Sequence, residues 1–307
     1  MTLPLAAAAS APSRAHEVIG AYVALTKPRI IELLLLTTLP VMFLASDGVP
    51  PLGLVAATMV GGTLSAGSAN ALNCVVDADI DARMRRTRRR PLARDVVTRR
   101  SALLFGLVLG AVSTALLVAL VNWWSALLAL GANAFYVVGY TIWLKPRTTQ
   151  NIVWGGAAGC VPTLIGWTAV RDGLAWPPVV LFLVVFLWTP PHFWALALRY
   201  REDYAAAEVP MLPVVAPARA VARQVVGYAA ATVATSLALW PVAHTGLVFP
   251  VAALALGAVF VGESVLLLAR SRGSDDLAVL RPMRLFHFSN LYLSLLFLAV
   301  ALVPFVP

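Results

Sequence analysis

Long apolar stretches dominate the chain, at 30–46, 52–75, 101–121, 124–144, 152–170, 178–198, 225–244, 247–269 and 285–303. Each approaches the ~20 residues of helix that cross a hydrocarbon layer. Inside that layer the backbone must satisfy its own polar groups, so each stretch predicts a helix. The first is short, and 22–25 before Pro28 extend it as a kinked start. Trp123, Trp124, Trp143, Trp176 and Trp240 lie near proposed ends, where amphipathic rings favour the interface. The pattern predicts an all-α integral membrane protein, nine transmembrane helices in one bundle. Residues 1–18, rich in Ala, Ser and Pro, read as a flexible tail ahead of a single domain at 19–307. Ala6 to Ala9 precede Arg14, the reverse of the order in a cleaved signal.

Composition agrees with that architecture. The 307 residues are 60% hydrophobic and 12% charged, against about 25% charged in soluble domains. This excludes a water-facing enzyme, a disordered chain and a disulfide-stapled secreted fold. Cys74 and Cys160 lack metal or redox spacing. The net charge of +9 raises nucleic acid as a partner, but little water-facing surface exists to carry it. Membrane orientation explains it better. With nine spans, every Lys and Arg except Arg171 falls on one side. The bias of basic loops then puts the N-terminus and the long loops in the cytoplasm. The loops 76–100 and 199–224, long and rich in both charge signs, lie there. The active site is therefore expected to face the cytoplasm.

The first of these loops begins with a constellation. Asn73, Asp77 and Asp81 are spaced four apart, which puts them on one helix face roughly 6 Å apart along the axis. Asp79 points elsewhere. An amide and two carboxylates in a row suit Mg²⁺, whose shell is usually completed by substrate phosphates. Arg86 and Arg90, again four apart, can hold phosphate oxygens bidentately. The bland alternative is a helix end whose carboxylates pair with neighbouring Arg. Proximity to hydrocarbon, where unpaired charge is expensive, favours the metal–diphosphate reading.

NCVVDADID followed by RTRRRPL resembles the first Asp-rich motif, NxxxDxxxD, of UbiA-type intramembrane prenyltransferases. LTKPRI (25–30), YTIWLKPRTTQNIVWGGAAG (140–159), PPHFWALALRYREDY (190–204) and VPMLPVV (209–215) extend the likeness over about residues 20–305. The last two point to the haem-farnesylating branch. Arg199 to Tyr204 stand at the second Asp-rich motif, where many relatives show DxxxD. Four residues before Asp203 is Arg199, so this chain departs from the pattern. The resemblance makes Asp203 a metal ligand and leaves Glu202 and Arg199 open, the latter as a diphosphate contact.

By themselves Lys145, Lys27 and Arg29 read as helix-end cations reaching for lipid phosphates. The resemblance gives Lys145 and Arg29 to the diphosphate. His192, after two prolines inside an apolar stretch, reads as a hydrogen-bonded core residue, and the resemblance places it at haem. No CxxCH motif is present, so haem is a substrate and not an attached group.

The resemblance then implies farnesyl diphosphate as donor, held through Mg²⁺ by Asn73, Asp77, Asp81 and Asp203, with Glu202 as a further candidate. Asp77, Asp81 and Asp203 carry the catalysis. Haem B is the acceptor, and water quenches the product cation to leave a hydroxyethylfarnesyl group. Implied surroundings are membrane lipid and a bacterial cytoplasmic (inner) membrane, with haem A synthase or a terminal oxidase assembly as partners. Prenylation of a quinone or aromatic-acid precursor is the alternative within this chemistry. A multi-span transporter is the alternative outside it. Transporters place charged ligands near the midplane, whereas these carboxylates sit at one rim, Glu263 being the main exception.

Overall fold

The structure, a computed structural model, describes residues 14–306. Residues 1–13 of the expected tail lie outside them. Residues 14–18 belong instead to a helix, α1 (Arg14–Thr26). Ala21 and Leu25, one turn apart, bury against Ala71, Cys74 and Ala78, and Tyr22 meets Phe105 edge-on at 4.9 Å. These contacts hold α1 on the bundle where composition alone suggested a loose chain.

Beyond α1, the described residues contain nine helices long and apolar enough to cross a membrane. They are α2 (Pro28–Ser46), α3 (Leu52–Val76), α5 (Arg99–Leu120), α6 (Trp123–Leu144), α7 (Asn151–Arg171), α8 (Trp176–Arg199), α10 (Ala218–Ala243), α11 (Val248–Arg270) and α12 (Leu277–Phe305). Short helices sit in the charged loops, among them α4 (Ala78–Arg83) and α9 (Arg201–Ala206). No strand occurs among the described residues. Each expected apolar stretch coincides with one spanning helix to within a few residues, except that α10 begins at Ala218 and not 225, and α12 at Leu277 and not 285.

The bundle has two packed regions. One joins α2, α8, α10, α11 and α12 through buried Val41, Trp188, Val225, Phe260 and Phe297. The other runs along α3, packed on α5, α6 and α2. Close approach there depends on glycine. A Cβ at Gly61 would fall 2.5 Å from Leu117, and one at Gly166 would fall 2.5 Å from the Thr38 carbonyl. The outer surface carries exposed Leu and Val, such as Leu104, Leu107, Val108 and Val118 on α5. That is what a lipid-facing helix wall requires. Trp123, Trp143, Trp176 and Trp240 are exposed near the helix ends.

Candidate active site

The site forms where α3 ends. The i→i−4 bonds continue across the break, from Asp77 N–H to the Asn73 carbonyl and from Asp81 N–H to the Asp77 carbonyl, both 2.8 Å. Asn73, Asp77 and Asp81 therefore keep one face, and all three are buried. Asp79 turns outward and pairs with exposed Arg99, as the spacing required.

Cations from three other segments converge on this face. Lys145 Nζ lies 2.6 Å from Asp77 Oδ2, and Arg90 Nη1 donates to both carboxylate oxygens of Asp81, at 2.7 and 2.9 Å. Lys27 Nζ donates to Asn73 Oδ1 at 2.6 Å. Asn73 Nδ2 donates to Asp77 Oδ2 at 2.9 Å and to Thr141 Oγ1 at 3.0 Å, so its amide is fixed in orientation. Lys27 stands between α1 and α2 with φ 53°, a left-handed conformation uncommon outside glycine. Pro28 opens α2 behind it, and the turn aims the side chain inward. Burial pushes the Lys27 pKa down to about 8.

Lys145 and Thr141 reach the face because the last turns of α6 widen. Phe135–Leu144 is a π-helix, with Thr141 Oγ1 donating to the Tyr136 carbonyl and Lys145 N–H to the Tyr140 carbonyl, each five residues back. π-turns are rare and concentrate at functional sites.

The second charged loop closes over the first. Arg86 N–H donates to Asp203 Oδ2 at 2.9 Å, and Arg85 pairs with Asp203 at 3.4 Å and with Glu202 at 2.7 Å. Beneath them Met84, Tyr204, Val209 and Met211 are buried together. The Arg86 guanidinium lies over the Tyr200 ring, 5.6 Å from its centroid. Asp203 is buried. Glu202 is not, its side chain remaining 76% exposed.

The expected residues thus divide. Asn73, Asp77, Asp81, Arg90 and Lys145 form one cluster, and Asp203 bonds with Arg85 and Arg86 where the two charged loops meet. Arg199 is exposed above Tyr200. Arg29 is exposed on the first turn of α2, and among the described residues it makes no hydrogen bond or ion pair with the cluster. Lys27, in the same LTKPRI stretch, takes the inward place expected of Arg29. The sequence hint was the proline after it, which sets a bend there. Thr141, Arg85 and Tyr200 had no sequence signal.

His192 occupies a different place, between α8 and α12. Its ring stacks on Trp188 at 4.2 Å and on Phe286 at 4.5 Å, and Nδ1 lies 2.8 Å from Ser289 Oγ. The Ser289 hydroxyl donates to the Phe286 carbonyl. It therefore accepts from Nδ1–H, which leaves Nε2 with the lone pair.

Below the charged face an apolar cavity runs between α2, α3, α6 and α7, with about 820 Å³ of empty space counting its open side. Asn70 and Tyr136, about one helical turn from Asn73 and Thr141, line it; Thr38, Thr58 and Ile165 line it further along. Most of its polar side chains bond elsewhere. Thr38 and Thr58 bond to carbonyls of their own helices, Asn70 to the Thr26 carbonyl and Asn133 to Ser65 and Ser68. The surface left to a ligand is mainly carbon.

The residues fit a divalent cation. Asp77 Oδ1 is buried without a hydrogen-bond partner, on the helix face that also carries Asn73 and Asp81. Their side-chain oxygens are hard donors of the kind Mg²⁺ takes. Among the described residues no three His, Cys, Asp or Glu side chains form a ready-made cage.

An apolar cavity about one helical turn from buried carboxylates and cations, inside a bundle of membrane-length helices, is the setting of an intramembrane enzyme. The chain belongs to the UbiA prenyltransferase family, which matches residues 34–303. It is 66% identical to a protein of Nocardioides sp. named protoheme IX farnesyltransferase, over 94% of this chain and 92% of that one. A protein of the same name from Cutibacterium acnes is 62% identical, over 95% of this chain and 86% of its own. Among solved structures, a digeranylgeranylglyceryl phosphate synthase superposes with TM-score 0.76 at 16% identity, covering 94% of this chain and 99% of its own. A UbiA homologue from Archaeoglobus fulgidus bound to GPP and Mg²⁺ gives TM-score 0.63 at 16% identity, over 91% and 99%. These structures share the fold.

Proposed function

We propose that the chain transfers the farnesyl group of farnesyl diphosphate to a vinyl group of haem B, with water completing the product as haem O. The observation that carries this is identity of 55–66% to proteins named protoheme IX farnesyltransferase, joined to the charged face at the mouth of an apolar cavity. The donor's diphosphate lies on Asn73, Asp77, Asp81, Arg90, Lys145 and Lys27, and its chain lies in the cavity. Asn73, Asp77, Asp81 and Asp203 would hold Mg²⁺, which would supply charge that stabilises the leaving diphosphate. Lys145, Lys27 and Arg90 exchange their present carboxylate and amide partners for phosphate oxygens. Arg86 stays with the second loop, where Asp203 fixes its backbone and Tyr200 its guanidinium. The carbon-lined cavity keeps stray water from the allylic cation.

We assign the haem acceptor to the side of the bundle that carries His192, whose Nε2 lone pair is available to iron or to a substrate proton. Glu202, Arg199 and Arg29 contribute long-range positive or negative field at the rim and not direct contacts. The reading includes a cytoplasmic face for the arginine-rich rim and a bacterial inner membrane, with haem A synthase or a terminal oxidase assembly receiving the product.

Membranes containing the chain, given farnesyl diphosphate, haem B and Mg²⁺, are expected to form a more hydrophobic haem that elutes late on reversed-phase chromatography. Unchanged haem B beside intact protein would overturn the assignment. A prenylated quinone precursor in its place would move the chain to another acceptor. Reporter fusions to the 76–100 loop test the orientation, which fails if they read as external.

A further inference from the structure

At eight glycines, Gly61 and Gly106 among them, a Cβ would meet another residue within 3 Å, so packing accounts for them. Other glycines have open space at that position, and of these Gly62 and Gly159 line the apolar cavity. Neither carries a positive φ, so no backbone strain requires them. Glycine inside a helix costs roughly 1 kcal/mol relative to alanine. Neither packing nor conformation offsets that cost at Gly62, in the middle of α3. Its missing side chain leaves open space on the cavity wall.

The position of that space along the helix is informative. Gly62 precedes Asn73 by eleven residues, about 16 Å at 1.5 Å per residue. An isoprene unit adds four carbon–carbon bonds of about 1.5 Å, or about 5 Å of extended chain. Three units span about 15 Å from the diphosphate and two span about 10 Å. Thr58, also in the lining, lies one turn beyond Gly62, where only a fourth unit would reach.

We propose that Gly62 is a chain-length determinant, its missing side chain making the room for the third isoprene unit of the donor, with Gly159 widening the same cavity from α7. This rests on the reading of the cavity as the site of the donor's chain. It adds that preference for a fifteen-carbon chain over a ten-carbon one is set on α3, three turns below the charged face. A leucine at Gly62 would occupy the volume of that unit and leave the first two undisturbed.

The test uses the detergent-purified full chain with Mg²⁺ and measures competitive binding of inorganic diphosphate and of the thiolodiphosphate analogues of geranyl and farnesyl diphosphate. Wild type is expected to prefer farnesyl by on the order of 1,000-fold, from burial of five more carbons. Gly62→Leu should bring the two chain lengths within about tenfold by weakening farnesyl alone, with inorganic diphosphate unchanged. Gly62→Ala and Gly159→Ala, which each add one methyl to open space, should weaken farnesyl a few-fold and leave geranyl unaffected. They carry the test should Gly62→Leu fail to fold. Preserved farnesyl preference in variants that bind inorganic diphosphate normally, or equal weakening of both chains, would overturn the proposal. Wild type that binds inorganic diphosphate but does not discriminate between the chains would instead overturn the cavity reading beneath it.

Discussion

Replacing Asp77 with asparagine keeps the shape of the side chain and removes its charge. Lys145 then loses a partner at 2.6 Å in a place where the lysine side chain is 10% and the aspartate side chain 4% exposed. Removing one member of such a buried pair costs about 3–5 kcal/mol. At roughly 2 °C per kcal/mol for a chain this long, Asp77→Asn should lower the Tm by about 6–10 °C in detergent. Adding Lys145→Gln removes the stranded cation and should recover most of that loss, because an asparagine oxygen can accept from the glutamine amide. Turnover should behave differently. A unit charge about 4 Å from a divalent ion's position contributes at least ~4 kcal/mol at an effective dielectric of 20, so both the single and the double variant should turn over at least about 1,000-fold more slowly. The assay pairs thermal unfolding with chromatographic detection of farnesylated haem under limiting Mg²⁺. If the double variant regains both stability and turnover, Asp77 serves Lys145 alone, and the metal–diphosphate reading of the cluster is wrong.

Three other outcomes separate the parts of the site. Asp79→Asn removes only an exposed pair with Arg99; stability should change by less than about 0.5 kcal/mol and turnover by less than about twofold, and a large loss in purified protein would contradict its outward placement. Lys27→Met should weaken inorganic diphosphate binding by about tenfold, whereas Arg29→Met should leave it nearly unchanged; equal effects would refute the inward role given to Lys27. His192→Ala should weaken haem B binding and alter the Soret band of the complex while diphosphate affinity holds, and an unchanged haem titration would remove His192 from the acceptor site.

Helix number and the main chemical face were legible because each rests on a local rule. An apolar run of about 20 residues has one way to cross a bilayer, and residues four apart share a helix side. The second rule survived a helix break at Asp77 because the backbone bonds kept their register. What escaped rests on geometry that no short-range pattern encodes. Lys145 looked like a cation at a helix end because the widened turns before it have no recognisable residue signature. Lys27 and Arg29 are two residues apart, and a left-handed turn decides which of them faces inward. Glu202 and Asp203 are neighbours, and their opposite exposures come from how one charged loop packs on another. Residues 14–18 read as tail because the partners of α1 are far along the chain.

The π-helical stretch before Lys145 amounts to residues held in excess of an α-helix's count. Each residue of α-helix turns the chain by about 100°. Closing Phe135–Leu144 to α geometry with every residue kept would turn the chain further at each of them, and Lys145 would rotate away from Asp77 although no charged residue had changed. Deleting one residue there would remove the surplus and let the turns close with the helix beyond near its present register. In this apolar segment the residue count, and not only the residue types, sets the geometry of the active site.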